Sequence, residues 1–321
     1  MLLPSETPAL LKKRAALNNA VRSFFAQREV LEVQTPVLSH SAPTAPYLDS
    51  FSTAFNQGTS QQPLYLHTSP EFAMKRLLAA GSGAIYQICP VFRNGEAGRV
   101  HSPEFTMLEW YRPDFTLEAL MDEVDELLQR ILDSQPAQRI SYQQAFQQTL
   151  NIDVFAVPTD TLCQLAMTHI KGVTKEWTND RDAWLELLMS EIVEPTFVQG
   201  KSPVMVYDFP VSQAQLAKTY QNSQCEQVAA RFEVYVGGVE LANGYDELLD
   251  AEVLAKRFER DNQYREEQGL PVMPIDHNLL ASMQQGLPAC SGVALGLDRL
   301  FMLQLGKSAI DEVTPIRFDN A

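Results

Sequence analysis

The chain has 321 residues, of which 45% are hydrophobic, enough for the core of one large domain or two ordinary ones. Its 40 acidic residues outnumber its 25 basic residues, and the net charge of −15 disfavours a nucleic acid partner, because phosphates are usually gripped by several Lys and Arg side chains. The sequence has no apolar run long enough to span a membrane, and its N-terminus lacks the charged and then apolar segments of a secretory signal, so we expect a cytoplasmic protein. Its four cysteines are dispersed, so we expect neither a zinc site nor a disulfide framework.

The first part of the chain predicts two helices and several strands. One helix is predicted from Thr7 to near Arg28, and Ser69 is placed to cap a second helix that Gly81 ends. The predicted buried stripe of the first helix contains Leu10, Leu11, Leu17, Val21, Phe24 and Phe25. The other predictions here are a short strand at 30–39, a loop or ragged hairpin at 41–63, and strands at 84–92 and 105–111.

The second part predicts more helices and a hairpin. Thr116 caps a helix that ends near Leu132, and the middle of the chain, 135–200, predicts further helices. The remaining predictions are a hairpin at 231–244 that turns at Gly237 and Gly238, a helix at 250–268, and a strand at 290–296 that continues into a helix. Hairpins followed by helices predict an α+β fold, an antiparallel β-sheet flanked by helices.

Charged residues near the ends of these strands are the candidate site. Arg93 and Arg299 each lie beside a glycine-containing turn, and a guanidinium group can donate hydrogen bonds to phosphate oxygens. A single arginine at such a position is more often solvent-exposed or part of a surface ion pair. Glu240 and Glu247 flank an Asn-Gly bend, where two carboxylates can bind Mg²⁺ or an ammonium group. An exposed hairpin end without a binding role would show the same residue pattern. Glu71 at the head of its helix is explained equally well by the helix dipole.

Several common catalytic motifs are absent from the sequence. There is no phosphate-binding G-x-x-x-x-G-K-[ST] loop, no G-x-S-x-G elbow and no H-E-x-x-H pair. The five histidines do not cluster, and His101 lies in the charged loop between two predicted strands, where it can contact a phosphate. A reaction that needs a dedicated nucleophile or histidine base is therefore not indicated.

Five segments, in this order, resemble the catalytic domain of class II lysyl-tRNA synthetases. They are VLEVQTPVLS, SPEFAMKRLL, VFRNGEAGRVHSPEFTMLEWY, ELANGYDE and GVALGLDRL, and they include all three motifs that define the class. The resemblance covers nearly the whole chain, and the first segment begins at Val30. It therefore predicts a single class II synthetase-like catalytic domain over residues 1–321, without an N-terminal anticodon-binding domain. In the expected absence of this domain and in its acidic composition, the chain resembles the ligase family that attaches (R)-β-lysine to a lysine of translation elongation factor P.

That resemblance implies a reaction and a set of site residues. It implies ATP and Mg²⁺, an aminoacyl-adenylate of (R)-β-lysine or lysine, transfer to elongation factor P without tRNA, and a homodimer with its interface around Pro36. Catalytic roles fall to Arg93, Arg299 and Glu240, and metal binding to Glu240 and Glu247. The implied ATP contacts are Arg93, Asn94, Gly95, Glu96, His101, Ser102, Glu240, Leu241, Gly296 and Arg299. The implied substrate contacts are Ser69, Pro70, Glu71, Tyr111, Glu247 and Ala294.

Three positions depart from the lysyl-tRNA synthetase pattern. Ala294 replaces a glycine, and its methyl group would favour a substrate with its amino group on the β-carbon. Gly95 replaces a glutamate and Ser102 an asparagine, which predicts a raised KM for ATP. Two other functions stay open on these residues: a minimal enzyme that charges tRNA or another acceptor, and a non-catalytic paralogue that senses amino acids.

Overall fold

The computed structural model describes residues 7–198 and 202–321. The α-helices are α1 (Thr7–Ala26), α2 (Glu71–Ala79), α3 (Leu117–Leu132), α4 (Tyr142–Leu150), α5 (Thr159–His169), α6 (Arg181–Leu188), α7 (Ala251–Glu267), α8 (His277–Gly286) and α9 (Leu297–Gln304). The strands are β1 (Leu31–Glu32), β2 (Leu38–Ser39), β3 (Ser52–Gln57), β4 (Ser60–Leu66), β5 (Ile85–Phe92), β6 (Glu104–Pro113), β7 (Gln138–Ser141), β8 (Val204–Pro210), β9 (Thr219–Gln221), β10 (Gln227–Val236), β11 (Val239–Asp246) and β12 (Cys290–Gly296).

These elements form two compact units. The first unit contains residues 7–116 and 247–321, and the second contains residues 117–198 and 202–246. The prediction of one catalytic domain over 1–321 stays a prediction. None of the helices in the described ranges is long and apolar enough to cross a membrane.

The first unit is built on strands in the order β1-β5-β6-β12, with β1 parallel to β5 and the other pairs antiparallel. Helix α1 covers one face, where Phe25 stacks on Tyr86 at a ring distance of 4.4 Å and meets Trp110 edge-on at 5.3 Å. The opposite face carries Glu109, because side chains alternate along a strand and Trp110 is its neighbour. A smaller antiparallel sheet, β2-β4-β3, belongs to the same unit.

The second unit is built on the strand order β11-β10-β8-β7, with β9 also paired to β10. The β10–β11 hairpin turns through Gly237 and Gly238, whose φ angles of 60° and 73° suit glycine and a tight hairpin. The core of the unit packs helices α4 to α6 against β8 and β10, with Tyr142, Trp184 and Tyr235 among its buried residues.

Much of the predicted secondary structure is confirmed, including the α+β class, the Gly237–Gly238 hairpin and most helix boundaries. The predicted burial of Leu11 is wrong: it lies at the edge of the α1 stripe and is 55% exposed. The predicted strand at 30–39 is two short strands, β1 and β2, which lie on either side of Pro36 and belong to different sheets. The helical middle contains a strand, β7, which pairs parallel to β8.

Candidate active site

A buried ion-pair cluster lies between α2 and the segment after β11. Lys75 on α2 places its Nζ 2.6 Å from Glu71 Oε1 and 2.6 Å from Glu247 Oε2. The side chains of Lys75 and Glu247 are each only 1% exposed, and Glu71 is partly buried. The backbone fixes both ends: Glu71 lies one helical turn before Lys75, and Glu247 N donates to Cys290 O at 3.0 Å.

Glu109 extends this cluster from the middle of β6. Its carboxylate accepts hydrogen bonds from Ser69 Oγ and from the Tyr111 hydroxyl, both at 2.7 Å. Ser69 Oγ also accepts from Glu71 N at 3.0 Å, but the N-cap of α2 is Pro70, so the predicted Ser69 cap is wrong by one residue. The Ser69 hydroxyl hydrogen is directed towards Glu109. Glu109 is 2% exposed, and both of its partners are neutral.

Burial sets the charge state of these groups. It raises the pKa of Glu109 to about 7, with repulsion from Glu71 adding to the effect. Burial also raises the pKa of Glu247, against the attraction of Lys75. Burial alone would lower the pKa of Lys75, but Glu247 and Glu71 more than offset it and hold the ammonium charged. Three carboxylates therefore face one ammonium group, which leaves a charge of −2 when all four are ionised.

Glycine at position 292 allows this cluster to close. Gly292 on β12 lies opposite Tyr111 on β6. A methyl group at Gly292 would lie 2.3 Å from Tyr111 Cε1 and 2.7 Å from Glu247 Oε1, which is closer than Cβ atoms approach other atoms in proteins. Tyr111 and Glu247 therefore occupy the space that any side chain at position 292 would need.

A second group of charged residues surrounds His101. Partial burial of its ring lowers the pKa of His101, as do the charges of Arg299 and Arg93, while Glu96 raises it. Arg93, at the end of β5, lies 3.7 Å from Glu96 and 5.2 Å from the ring centre of Phe105, and its buried Nε has no hydrogen-bond partner among the described residues. The structure thus brings together four of the residues predicted to contact ATP, with two guanidinium groups among them.

Comparison with known proteins identifies the family. The family model of class II tRNA synthetases (D, K and N) matches residues 2–317. The chain belongs to this class II synthetase family. Curated relatives named elongation factor P–(R)-β-lysine ligase include one from Histophilus somni (strain 2336), 49% identical over 321 residues, and one from Salmonella paratyphi A (strain ATCC 9150 / SARB42), 50% identical over 320 residues. Each match covers 99% of this chain and 98% of the relative, so the predicted resemblance is confirmed.

The departures from the class II pattern now have a structural setting. Gly95 has a φ of +85°, a backbone conformation that would strain a glutamate at this position. Ser102 lines a surface cavity of about 390 Å³ with Leu10 and Asp298 among its other walls. Ala294 lies opposite Glu109 and packs against the buried cluster of Cys89, Val91 and Met107.

Two other predicted ATP contacts belong to the turns around them. Asn94 N donates to Asp49 O at 2.8 Å, which fixes the backbone just after Arg93. At Gly296, the nearest atoms to an added methyl group are the Arg299 side-chain carbons at 3.6–3.7 Å, an ordinary contact distance. The fold itself therefore does not require glycine at 296, which is consistent with the predicted approach of the nucleotide.

Glu240 and Leu241 lie on β11 in the second unit. Leu241 is buried, and Glu240 is half-buried and acts electrostatically on the buried pair Arg231 and Glu233. Across residues 7–198 and 202–321, no group of three or more His, Cys, Asp or Glu side chains is arranged to hold a metal ion. The joint metal site of Glu240 and Glu247 stays a prediction.

The sequence reasoning missed Glu109, Lys75 and Gly292. A signal for Glu109 was present, since it is the one charged residue in the apolar strand segment FTMLEWY. Lys75 follows Glu71 at the i, i+4 spacing of a helical ion pair. Neither pattern reveals that the partners are buried, and burial is what makes the cluster unusual.

Proposed function

We propose that the protein is an ATP-dependent ligase that activates (R)-β-lysine as an aminoacyl-adenylate and transfers it to a lysine ε-amine of translation elongation factor P. The names of relatives at about half identity over nearly the full length support this reaction. The observation that carries the substrate class is the buried charge of the Glu71–Lys75–Glu109–Glu247 cluster. A diamino acid brings two ammonium groups, which balance a site of charge −2.

The energetics favour a cationic substrate over an empty site. Buried carboxylates without partners are strongly disfavoured, so the free protein compensates by taking up protons, as the raised pKa values of Glu109 and Glu247 indicate. A substrate ammonium group replaces those protons with an ion pair in a water-poor site. A monoamine would leave one negative charge unbalanced.

Activation then needs orientation more than acid–base chemistry. The substrate carboxylate is ionised at neutral pH and attacks the α-phosphorus of ATP directly, and pyrophosphate leaves. Arg93 and Arg299 stabilise the charge on the phosphoryl oxygens, the role for which their shared environment around His101 suits them. In the second step the lysine ε-amine of the acceptor attacks the adenylate carbonyl carbon, releases AMP and loses a proton.

Mg²⁺ is proposed as a second requirement. A half-buried carboxylate such as Glu240 fits this ion, because Mg²⁺ prefers oxygen ligands and usually takes only one or two carboxylates with the rest from phosphates and water. Bound there, Mg²⁺ would supply positive charge to the phosphates of ATP.

The acceptor is proposed to be a protein and not tRNA. The net charge of −15 opposes binding to a polyanion and favours an acceptor with basic groups around its target lysine. The homodimer and the cytoplasmic location implied by the resemblance are part of the same proposal. Association with the acceptor should weaken as salt is raised, because exposed charges are screened.

The test is to incubate the protein with ATP, Mg²⁺, (R)-β-lysine and purified elongation factor P, and to weigh the acceptor by mass spectrometry. The expected result is the added mass of one β-lysyl group on a lysine, with no aminoacylation of tRNA in a parallel reaction. Arg93→Ala should abolish the product. Arg99→Ala is the matched control in the same loop, since the exposed Arg99 guanidinium donates to Ser308 O at 2.6 Å and its loss should leave the product intact. Charging of tRNA, or no product from the unaltered protein, would overturn the proposal.

A further inference from the structure

Gln87 on β5 is a buried amide whose oxygen has no hydrogen-bond partner among the described residues. The residue is 1% exposed, and its amide nitrogen has only a weak contact with the Cys89 thiol in that part of the chain. Most buried polar side-chain atoms in proteins are hydrogen-bonded, so an amide left without partners needs an explanation. An unsatisfied buried amide lowers stability unless something binds it.

The strand register places Gln87 in the candidate site. Gln87 is opposite Glu109 on β6, and Glu109 is in turn opposite Ala294 on β12. Directly opposed side chains of antiparallel strands share a face and lie roughly 5 Å apart at Cβ. The amide therefore neighbours the Glu109 carboxylate and the residue predicted to lie beside the substrate's α-carbon.

Few hydrogen-bonding groups of the described residues are available to Gln87 on that face of the sheet. Cys89 is the next residue on the same side of β5. Burial, reinforced by Glu109, raises the pKa of its thiol to about 12, while a hydrogen bond from the Gln87 amide lowers it. A protonated thiol is at most a weak partner for an amide. The hydroxyl donors of Ser69 and Tyr111 are directed to Glu109.

We propose that Gln87 is a substrate-binding residue whose amide oxygen accepts a hydrogen bond from the ammonium group that Glu109 also binds. This inference rests on the proposed function, because it requires a substrate with an ammonium group in this cluster. A carboxamide adds an acceptor without adding charge, whereas a fourth carboxylate would make the site more negative than two ammonium groups can balance. Its NH₂ group is left to face the Glu109 carboxylate.

The test separates a binding role from an unsatisfied structural amide. Gln87→Met keeps the approximate shape and removes both hydrogen-bonding atoms. We expect its KM for (R)-β-lysine in ATP–pyrophosphate exchange to rise about tenfold, the equivalent of about 1.4 kcal/mol, with the KM for ATP unchanged. The thermal midpoint of the ligand-free variant should hardly change, because the removed amide oxygen had no partner and the contact of the amide nitrogen with the Cys89 thiol is weak. The stabilising shift caused by (R)-β-lysine should shrink.

Gln213→Met is the matched control. Gln213 is also a buried glutamine, but it belongs to the second unit. This variant should leave the KM values for both substrates unchanged, whatever it does to stability.

The outcomes distinguish this inference from the function on which it rests. If the unaltered protein shows exchange with (R)-β-lysine and the KM of Gln87→Met stays within about twofold, the role of Gln87 is wrong and the function stands. If the unaltered protein shows no exchange with any diamino acid, the proposed function fails and the inference fails with it. If Gln87→Met does not fold, Gln87→Asn, which shortens the same amide, must show the same rise in KM; an unchanged KM there also overturns the role.

Discussion

Replacing Glu109 with glutamine should stabilise the free protein and weaken its binding of substrate. The carboxylate is buried on β6 with Ser69 and Tyr111 as neutral partners and has no cation of its own in direct contact. Glu109→Gln removes the charge and keeps the shape. The two hydroxyl groups can rotate to accept from the new amide, because a hydroxyl is both donor and acceptor.

The size of the effect follows from the pKa of Glu109. Burial raises this pKa from 4.5 to about 7, a difference equivalent to roughly 3 kcal/mol. Between these two values the folded protein holds a proton that the unfolded chain has lost, so stability falls as the pH rises through this window and is lowest above about pH 7. Glutamine does not titrate, so the variant should gain roughly 2–3 kcal/mol over the unaltered protein at about pH 8 and little at about pH 5.

The assay is urea unfolding of both proteins without substrate at the two pH values. Glu247 is present in both proteins, but the Glu109 charge contributes to its raised pKa, so the difference between the proteins reports Glu109 together with its repulsion of Glu247. Glu104→Gln is the control on the same strand, since that carboxylate is exposed and its loss should change stability by no more than about 0.5 kcal/mol. An equal difference at both pH values, or a loss of stability confined to high pH, would refute the reasoning.

Further predictions concern two positions around the cluster and the buried Arg265 of the first unit. Gly292→Ala should lower stability by about 1–3 kcal/mol and abolish pyrophosphate exchange, because its methyl group collides with Tyr111 and Glu247; normal exchange would contradict the geometry. Ala294→Gly should shift the exchange ratio towards α-lysine by about tenfold, and an unchanged ratio would count against a role for the methyl group in selection. Arg265→Leu should lower the free energy of unfolding by about 3 kcal/mol in urea titrations, because this fully buried arginine donates to the Pro271 and Ala45 carbonyls and to Asp49; a loss under about 1 kcal/mol would show that these contacts matter little.

Local signals were sufficient for most of the fold. The Gly237–Gly238 turn and the strand-to-helix change at Gly296 both have short-range physical causes, and each appears in the structure. The exposure of Leu11 could not be predicted from the helical spacing of apolar residues. That spacing predicts which face of α1 is apolar, but not how much of this face the neighbouring elements cover. Strand β8 was missed because its sequence, VMVYDFP, has no alternation of apolar and polar residues to reveal it.

The candidate site was predicted in part, through family resemblance more than through spacing. Glu71, Tyr111 and Glu247 are brought together as that resemblance implied. The roles of Lys75 and Glu109 depend on burial and on partners distant in sequence, such as the contact between residues 75 and 247. Those facts become visible only when α2 and β6 are placed in the same structure.

The central claim is that two substrate ammonium groups balance the buried charge of the Glu71–Lys75–Glu109–Glu247 cluster. The most direct measurement compares ATP–pyrophosphate exchange with (R)-β-lysine and with (R)-3-aminohexanoic acid, which has the same carbon chain but lacks the terminal amine. We expect kcat/KM for the monoamine to fall by at least about a thousandfold, because buried polar partners are left unpaired. Comparable exchange with the two compounds would contradict it.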